Sequence, residues 1–436
     1  MNQNKNIIKY CKIRFRLMSP LEIGSGNNVK TDHDIMLTGD GTPFIPGSAI
    51  AGYFRDAVFR TLLREMEKRE ARRSIFEKLG YVIIEREPNQ SDSAELQSGV
   101  QENSMDVGVI EKAKESSVIF YDAFINEETF HIETRDLVAL DDHKVSMTGA
   151  KFDTEILDPD VTFDTYMEER LTSKDDESMI DRILRIWASE EVAFGAKTTR
   201  GMGLTQLEKV WVREFDLNDE KGVQEWVDFT VYEEPAWDAF EKTNKFIMTD
   251  NLNDKHVEDG SGRDEWVINL SLKQVGGISI RKYTTAVSKS EHKEPDYEQM
   301  KEHVWEKKTN GEDPVVTWSR KELPVIPGSS WTGAFRHHMK ALMKANESQM
   351  ERWFGFVKGK GKEKSQIVFS DSVLRNAKPR NLSRNAIDRF TGGTIDGALF
   401  TERTYFGGET ELKICFRKEQ LQCMDEENVE SFPLTS

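Results

Sequence analysis

The sequence predicts an α+β protein in which one folding unit occurs twice. Three observations predict it: a proline-glycine-serine signature present in both halves, a later pair of matched segments, and an alternating strand that opens each half. Asp32 stands 14 residues before Pro46 and Asp313 stands 14 before Pro327. From each proline the run Ile-Pro-Gly-Ser-x-x-x-Gly-x-x-Arg reaches Arg55 or Arg336 nine residues on, so the numbering offset is 281 throughout.

The opening strands place Ile13, Phe15 and Leu17 opposite Lys12, Arg14 and Arg16, and Ile268, Leu270 and Leu272 opposite Asn269, Ser271 and Lys273. Each runs into a glycine turn, Gly24-Ser-Gly26 or Gly276-Gly277. At the signature, proline sets a turn, Gly47 or Gly328 permits close backbone approach, and Ser48 or Ser329 is placed to cap the helix that follows. That helix carries Tyr53, Phe54 and Phe59, or Trp331, Phe335 and Met339, of which Trp331 and Phe335 read as core rather than as base-stacking platforms.

The second matched pair, Leu140–Glu155 and Ile387–Glu402, has 14 residues from Asp141 to Glu155 and from Asp388 to Glu402, and reads as a hairpin in each half. Here the offset is 247, so the first half carries about 34 extra residues, which the polar stretch Glu87–Glu115 supplies as a loop or disordered insertion. The extra material of the second half is Thr285–Glu312.

The first half closes with a helix presenting Met179, Ile183, Ile186 and Trp187, a glycine loop from Phe194 to Gly203, and an apolar strand. After Leu412–Phe416 the second half has too few residues for these elements, so we expect its copy to be incomplete. A neighbouring chain or a longer polypeptide would then cover the open edge. The order strand, helix, two strands, helix, strand is the ferredoxin-like pattern. It gives a first domain over 1–213, an acidic linker over 214–264 and a second domain over 265–436.

Composition narrows the class. No apolar run approaches a membrane span or a signal-peptide core, which points to a cytoplasmic protein without a membrane partner. Three cysteines, Cys11, Cys415 and Cys423, make no disulfide framework and no zinc motif. The net charge of −17 argues against nucleic acid until its segregation is noticed. Acid gathers in Asp153–Asp181 and Glu214–Asp264, whereas Lys358, Lys360, Lys362 and Lys364, and then Arg375, Lys378, Arg380, Arg384 and Arg389, form basic runs. Each run by itself is also what a solvated loop looks like.

Taken together, the glycine turn, the Ile-Pro-Gly-Ser signature and the Gly-x-Lys-x-x-x-Gly-x-Gly loop, in this order and with the signature duplicated, resemble the RAMP superfamily of CRISPR-associated proteins. The likeness is to backbone subunits of type III interference complexes of the Csm and Cmr kind, with two units fused as in type III-D-like systems. It implies tandem modified RNA-recognition folds that grip guide RNA, and a thumb hairpin in each that displaces a base of the guide-target duplex. It also implies one loop aspartate per unit that cleaves complementary target RNA with Mg²⁺ or Mn²⁺, beside other type III effector subunits.

The positions matching that catalytic and metal-holding aspartate are Asp32 and Asp313. Asp34 is the rival in the first unit, but its counterpart at the 281 offset is Val315. So sparse a site suffices, because RNA brings its own 2′-hydroxyl nucleophile and the protein need only splay the strand and neutralise the phosphate. Candidate RNA-binding residues are Gly24, Gly26, Gly47, Ser48, Arg55, Lys197, Arg200, Gly201, Gly203, Gly328, Ser329, Arg336, Lys358, Lys360, Arg384 and Arg389, and candidate thumb wedges are Met147 and Phe390. His33 and His143 lie in the proposed site loop and thumb, where solvated histidines are the simpler reading. Two alternatives stand beside the nuclease: a purely structural guide-RNA-binding subunit, and a guide-processing endoribonuclease, which would want a histidine-centred site.

Overall fold

The computed structural model describes residues 6–26, 28–85, 109–140, 146–159, 161–172, 178–232, 265–282, 295–308, 317–343, 347–358 and 361–417. In chain order the first half comprises β1 (Ile7–Leu17), β2 (Phe44–Ile45), α1 (Gly47–Glu65), α2 (Lys68–Leu79), β3 (Tyr81–Glu85), β4 (Val109–Lys114), β5 (Val118–Phe120), β6 (Ala123–Ile125), β7 (Ile132–Leu140), β8 (Ser146–Leu157), β9 (Thr162–Leu171), α3 (Met179–Ser189), β10 (Val192–Ala193), β11 (Leu204–Asp216) and α4 (Glu220–Val227). The main sheet runs β10-β11-β1-β9-β6-β2, with β5 also on β9.

Strand β1 is central because its alternation gives it two usable faces. Ile13, Phe15 and Leu17 are fully buried on one, where Phe15 stacks on Phe163 of β9 at 5.4 Å and meets Trp187 of α3 at 5.0 Å. The opposite face is covered as well. Lys12 is buried against the Asp164 carboxylate at 3.2 Å and under the Trp211 ring, and the segment after β11 folds back so that Trp226 of α4 donates to the Tyr10 hydroxyl. The acidic stretch therefore begins as packed structure: β11 extends to Asp216 and α4 follows.

Helix α1 buries Ile50, Phe54, Ala57, Val58 and Leu62 at helical spacing. Its N-cap is Pro46, and no side chain of the cap accepts a hydrogen bond. Ser48 is thus not the cap expected from the sequence, because the helix begins at Gly47 and Ser48 already lies inside its first turn. The orphan amide of Gly47 donates instead to Asp122 Oδ1 at 2.7 Å, between β5 and β6. Gly47 is required sterically, since a Cβ there would collide with the Phe120 carbonyl. Helix α3 is capped by Ser178, and the buried Glu169 of β9 also accepts the amides of Met179 and Ile180.

The second half comprises β12 (Glu265–Lys273), β13 (Arg281–Lys282), β14 (Tyr297–Gln299), β15 (Lys301–Lys308), β16 (Thr317–Ile326), α5 (Gly328–Met343), α6 (Glu347–Phe354), β17 (Phe356–Lys358), β18 (Gly361–Glu363), β19 (Ile367–Phe369), β20 (Ser372–Val373), β21 (Lys378–Arg384), β22 (Phe400–Phe406) and β23 (Glu409–Arg417). Its sheets run β12-β23-β19, β13-β14-β22-β21 and β15-β16-β20. Met350, Phe354, Ile367, Phe369, Leu412 and Ile414 form the core, with Trp331 and Phe335 of α5 packed on it as expected.

The start of this half repeats the first in detail. Gly328 donates to Asp371 Oδ1 at 2.6 Å, as Gly47 does to Asp122. Val325–Ile326 pair with Val373–Ser372, as Phe44–Ile45 pair with Phe124–Ala123. Among the described residues β12 is paired on one side only, by β23, and Trp266 and Ile268 on it are 60% and 44% exposed.

The tail of Glu87–Glu115 is not loop: Val109–Lys114 pairs antiparallel with Tyr81–Glu85, with a register shift between Ile83 and Ile84. Within Thr285–Glu312, the extra material of the second half, Tyr297–Gln299 and Lys301–Lys308 form β14 and β15.

Candidate nucleic-acid interface

The loop from Gly24 to Ile35 leaves β1, turns in solvent and returns beside the hairpin β7-β8. Ile35 bridges back to Gly24, and His33 pairs in parallel with Thr154 of β8. The two carboxylates in this loop do different things. Asp34 is buried and accepts the amides of Val29 (2.8 Å), Lys30 (3.1 Å) and Thr31 (2.8 Å) and the Thr31 hydroxyl. Burial pulls its pKa up, but the amides of Thr31, Lys30 and Val29 outweigh that and hold it down at about 2. A carboxylate so committed shapes the loop. Asp32 is exposed: its amide donates to Asp153 Oδ1 at 2.8 Å, and the Asp153 amide donates to its Oδ2 at 3.0 Å. This reciprocal pair ties the loop to β8 and brings the Asp32 and Asp153 side chains to neighbouring positions near the foot of the hairpin. Asp153 was not singled out in the sequence, where it reads as one more acid in an acidic run. Asp313 lies outside the described residues.

The first expected thumb is the antiparallel pair β7-β8; Met147 lies on β8, next to 141–145, which fall outside the described residues with His143. The second is β21-β22, whose strands begin at Lys378, nine residues earlier than the matched segment suggested. Its loop is held at the tip by Asp388, which accepts the amides of Phe390 and Thr391. Phe390 there is fully exposed, with Ile387 and Leu399 also largely in solvent. Strand β21 itself exposes Lys378, Arg380 and Arg384, and Arg389 stands in solvent on the loop. Arg384 approaches Glu402 at 3.4 Å.

The glycine loop is folded tightly. Gly195, Lys197, Gly201 and Gly203 all have left-handed backbones, and the amides of Ala196, Arg200, Gly201 and Gly203 are taken by Glu22, Lys197, Thr198 and Pro20. Lys197 bonds Glu22 at 2.5 Å beneath the Phe152 ring, and burial lowers its pKa against the pull of Glu22. The loop abuts the second half, because a Cβ on Gly201 would lie 2.6 Å from the Asp371 amide and one on Gly328 2.6 Å from the Arg200 carbonyl. Arg200 is its exposed cation.

Of the remaining candidates, Gly24, Gly26, Ser48 and Arg336 are exposed, Gly47 and Gly328 are buried in their turns, and Ser329 is half-buried. Arg55 is exposed and donates to the Leu79 carbonyl. Lys358 ends β17, and Lys360 lies outside the described residues.

A cavity of 1310 Å³ lies between the halves, bordered by Tyr53, Glu190, Gly201, Val267, Asp371 and Lys413. At its margin Arg135 of β7 pairs with Glu302 of β15, while Asp371 Oδ2 and Arg135 Nε are buried with no hydrogen-bond partner. Burial first, then the Glu302 charge, push Asp371 up to about 7 against Arg135 and the Gly328 amide. At the base of β7, His131, Glu133 and Asp158 form a three-residue group with cation-ligand spacing, and His303 Nδ1 lies 3.0 Å from Asp158. No spacing rule finds such residues, which come from four separate elements or loops.

The family model for the RAMP superfamily matches residues 14–206 and 253–430, most of the chain in two segments. The chain belongs to the RAMP superfamily. Among solved structures, a chain of the type III-B Cmr-beta complex bound to cognate target RNA, studied by cryo-electron microscopy, is similar at 17% identity and a TM-score of 0.32. That alignment covers 47% of this chain and 60% of the other. No curated protein matches. Among the described residues no helix is long and apolar enough to cross a membrane.

Proposed function

We propose that this RAMP protein is a guide-RNA-binding backbone subunit of a type III CRISPR interference complex, with two ferredoxin-like units fused, and that it cleaves complementary target RNA with Mg²⁺ or Mn²⁺. The observation that carries the reading is Asp32: an exposed carboxylate, fixed by strand β8 at the foot of a hairpin, beside a neighbour already committed to holding the loop.

Asp32 and Asp153 are the residues that would hold the cation, which would supply charge neutralisation at the scissile phosphate and a polarised water. The hairpin β7-β8 interrupts the duplex and splays the target strand, so that the 2′-hydroxyl lines up with the adjacent phosphate. Asp34 keeps the loop from collapsing onto the hairpin. The exposed cations Arg200, Lys378, Arg380 and Arg384 supply backbone contacts that an acidic protein must concentrate locally. The residue of the second half at the 281 offset, Asp313, lies outside the described residues.

The test is cleavage of labelled complementary RNA by the assembled complex in Mg²⁺ or Mn²⁺. Asp32→Ala is expected to remove one cut by at least 100-fold while guide-RNA binding stays within twofold, on the order expected for loss of one charge-stabilising group. Undiminished cutting would leave the purely structural reading.

A further inference from the structure

The hydrogen-bond register of the second half rebuilds the Asp32 loop around a different residue from the one the sequence repeat selects. Leu21 and Leu157 exchange both backbone hydrogen bonds, and Ile278 and Tyr405 do the same. Met36 donates to the Ile23 carbonyl at 2.8 Å, and Met300 to that of Ile280 at 2.6 Å. His33 runs parallel to Thr154, and Tyr297 parallel to Glu402. The rings agree too: His33 meets Phe152 edge-on at 6.0 Å and 83°, and Tyr297 meets Phe400 edge-on at 5.5 Å and 82°. A cation lies over each of those phenyl rings, Lys197 at 5.2 Å and Arg281 at 5.3 Å.

In this register the residue that falls on Asp32 is Asp296. The chemistry matches: Asp153 donates its amide to Asp32 Oδ2 at 3.0 Å, and Thr401, at the place of Asp153, donates its amide to Asp296 Oδ2 at 2.7 Å. Both aspartates are exposed. From Met36 the first half reaches Pro46 in 10 residues, whereas from Met300 the second needs 27 to reach Pro327. The added length is the hairpin β15-β16, and Asp313 belongs to the stretch between its strands.

We infer that Asp296, not Asp313, is the carboxylate of the second half that faces target RNA, with Arg281, Tyr297 and Phe400 completing its surroundings. The inference rests on the cleavage reading given above. With Thr401 in place of Asp153, this copy presents one carboxylate where the first presents two, so it holds a divalent cation more weakly.

The experiment compares the assembled complex carrying Asp32→Ala, Asp296→Ala, Asp296→Asn and Asp313→Ala on one labelled target, with cuts mapped to the nucleotide across a Mn²⁺ titration. Asn at 296 keeps an acceptor for the Thr401 amide and guards against a folding defect, and guide-RNA binding reports assembly. The expected result is loss of one cut by at least 100-fold in Asp32→Ala, loss of a different cut in both Asp296 variants, and both cuts in Asp313→Ala. The cut lost at 296 should need more Mn²⁺ than the one lost at 32. If Asp32→Ala loses its cut while the Asp296 variants keep both, the inference is overturned and the cleavage reading stands. If Asp32→Ala loses nothing, the cleavage reading itself fails.

Discussion

Replacing Asp371 by Asn at the junction of the two halves tests whether that aspartate is held as a strained helix cap. Oδ1 accepts the Gly328 amide at the start of α5, while Oδ2 is buried without a partner near the Glu302 charge. The result is a carboxyl whose pKa rises from 3.8 to about 7. Below about pH 4 it is protonated in the folded and unfolded chain alike. Between about 4 and about 7 only the folded chain keeps the proton, so this group's contribution to stability falls as pH rises, and above about 7 the loss is complete. Three units correspond to a ceiling of about 4 kcal/mol at 1.36 kcal/mol each. Relaxation and water entry reduce what is measured to on the order of 1–2 kcal/mol. Asn keeps the acceptor for Gly328 and carries no charge, so Asp371→Asn should raise Tm at pH 8 by about 3–6 °C and leave it nearly unchanged at pH 4. The assay is thermal unfolding of the full chain from pH 4 to 8, with the cap-deleting Asp371→Ala beside it. A stability lower in Asn than in wild type at pH 8 would show that the buried charge of Asp371 does not destabilise the fold.

Three further outcomes follow from the same structure. Phe390→Ala should leave Tm within about 1 °C, because the ring is wholly in solvent, yet slow target cleavage if the ring wedges between bases, as cleavage time courses would report. Neutralising Lys378, Arg380 and Arg384 together should weaken RNA binding and lower the slope of log K against log salt by about 2–3, measured by filter binding from 50 to 200 mM salt. Asp34→Asn should disorder the loop and reduce the cut assigned to Asp32 without moving its position, with loop amide exchange rising in parallel; its low pKa means wild type keeps this support down to about pH 2.

The signature turn was legible because proline and glycine act on their own backbone: Pro46 fixes one backbone angle, while the Phe120 carbonyl that makes Gly47 obligatory comes from a distant strand and was not readable. What the sequence hid is what closes those constraints from far away. Asp122 and Asp371 cap helices 75 and 43 residues from their glycines, and nothing about an isolated aspartate announces this. A serine two residues into the signature looked like the cap because side-chain caps usually come from neighbours. The alternation of β1 was read correctly, but not that its polar face would be covered, since Lys12 is buried only once Asp164 and Trp211 are brought to it. The repeat is also less uniform than its offset of 281 suggests: the hairpin β15-β16 lies between Met300 and Pro327, and on the inference above the backbone register sets the match to Asp32 at Asp296.

The proposed function is that this chain grips guide RNA and cuts what the guide pairs with. The most direct measurement is to purify the tagged protein from its native host, sequence the RNA that accompanies it, and offer the complex a labelled RNA complementary to the commonest bound sequence. The expected result is small RNAs of uniform length, copurifying type III subunits, and metal-dependent cuts at regular spacing that EDTA abolishes. A monomer without bound RNA, or a complex that holds guide and target yet leaves the target whole in Mg²⁺ and Mn²⁺, would contradict it.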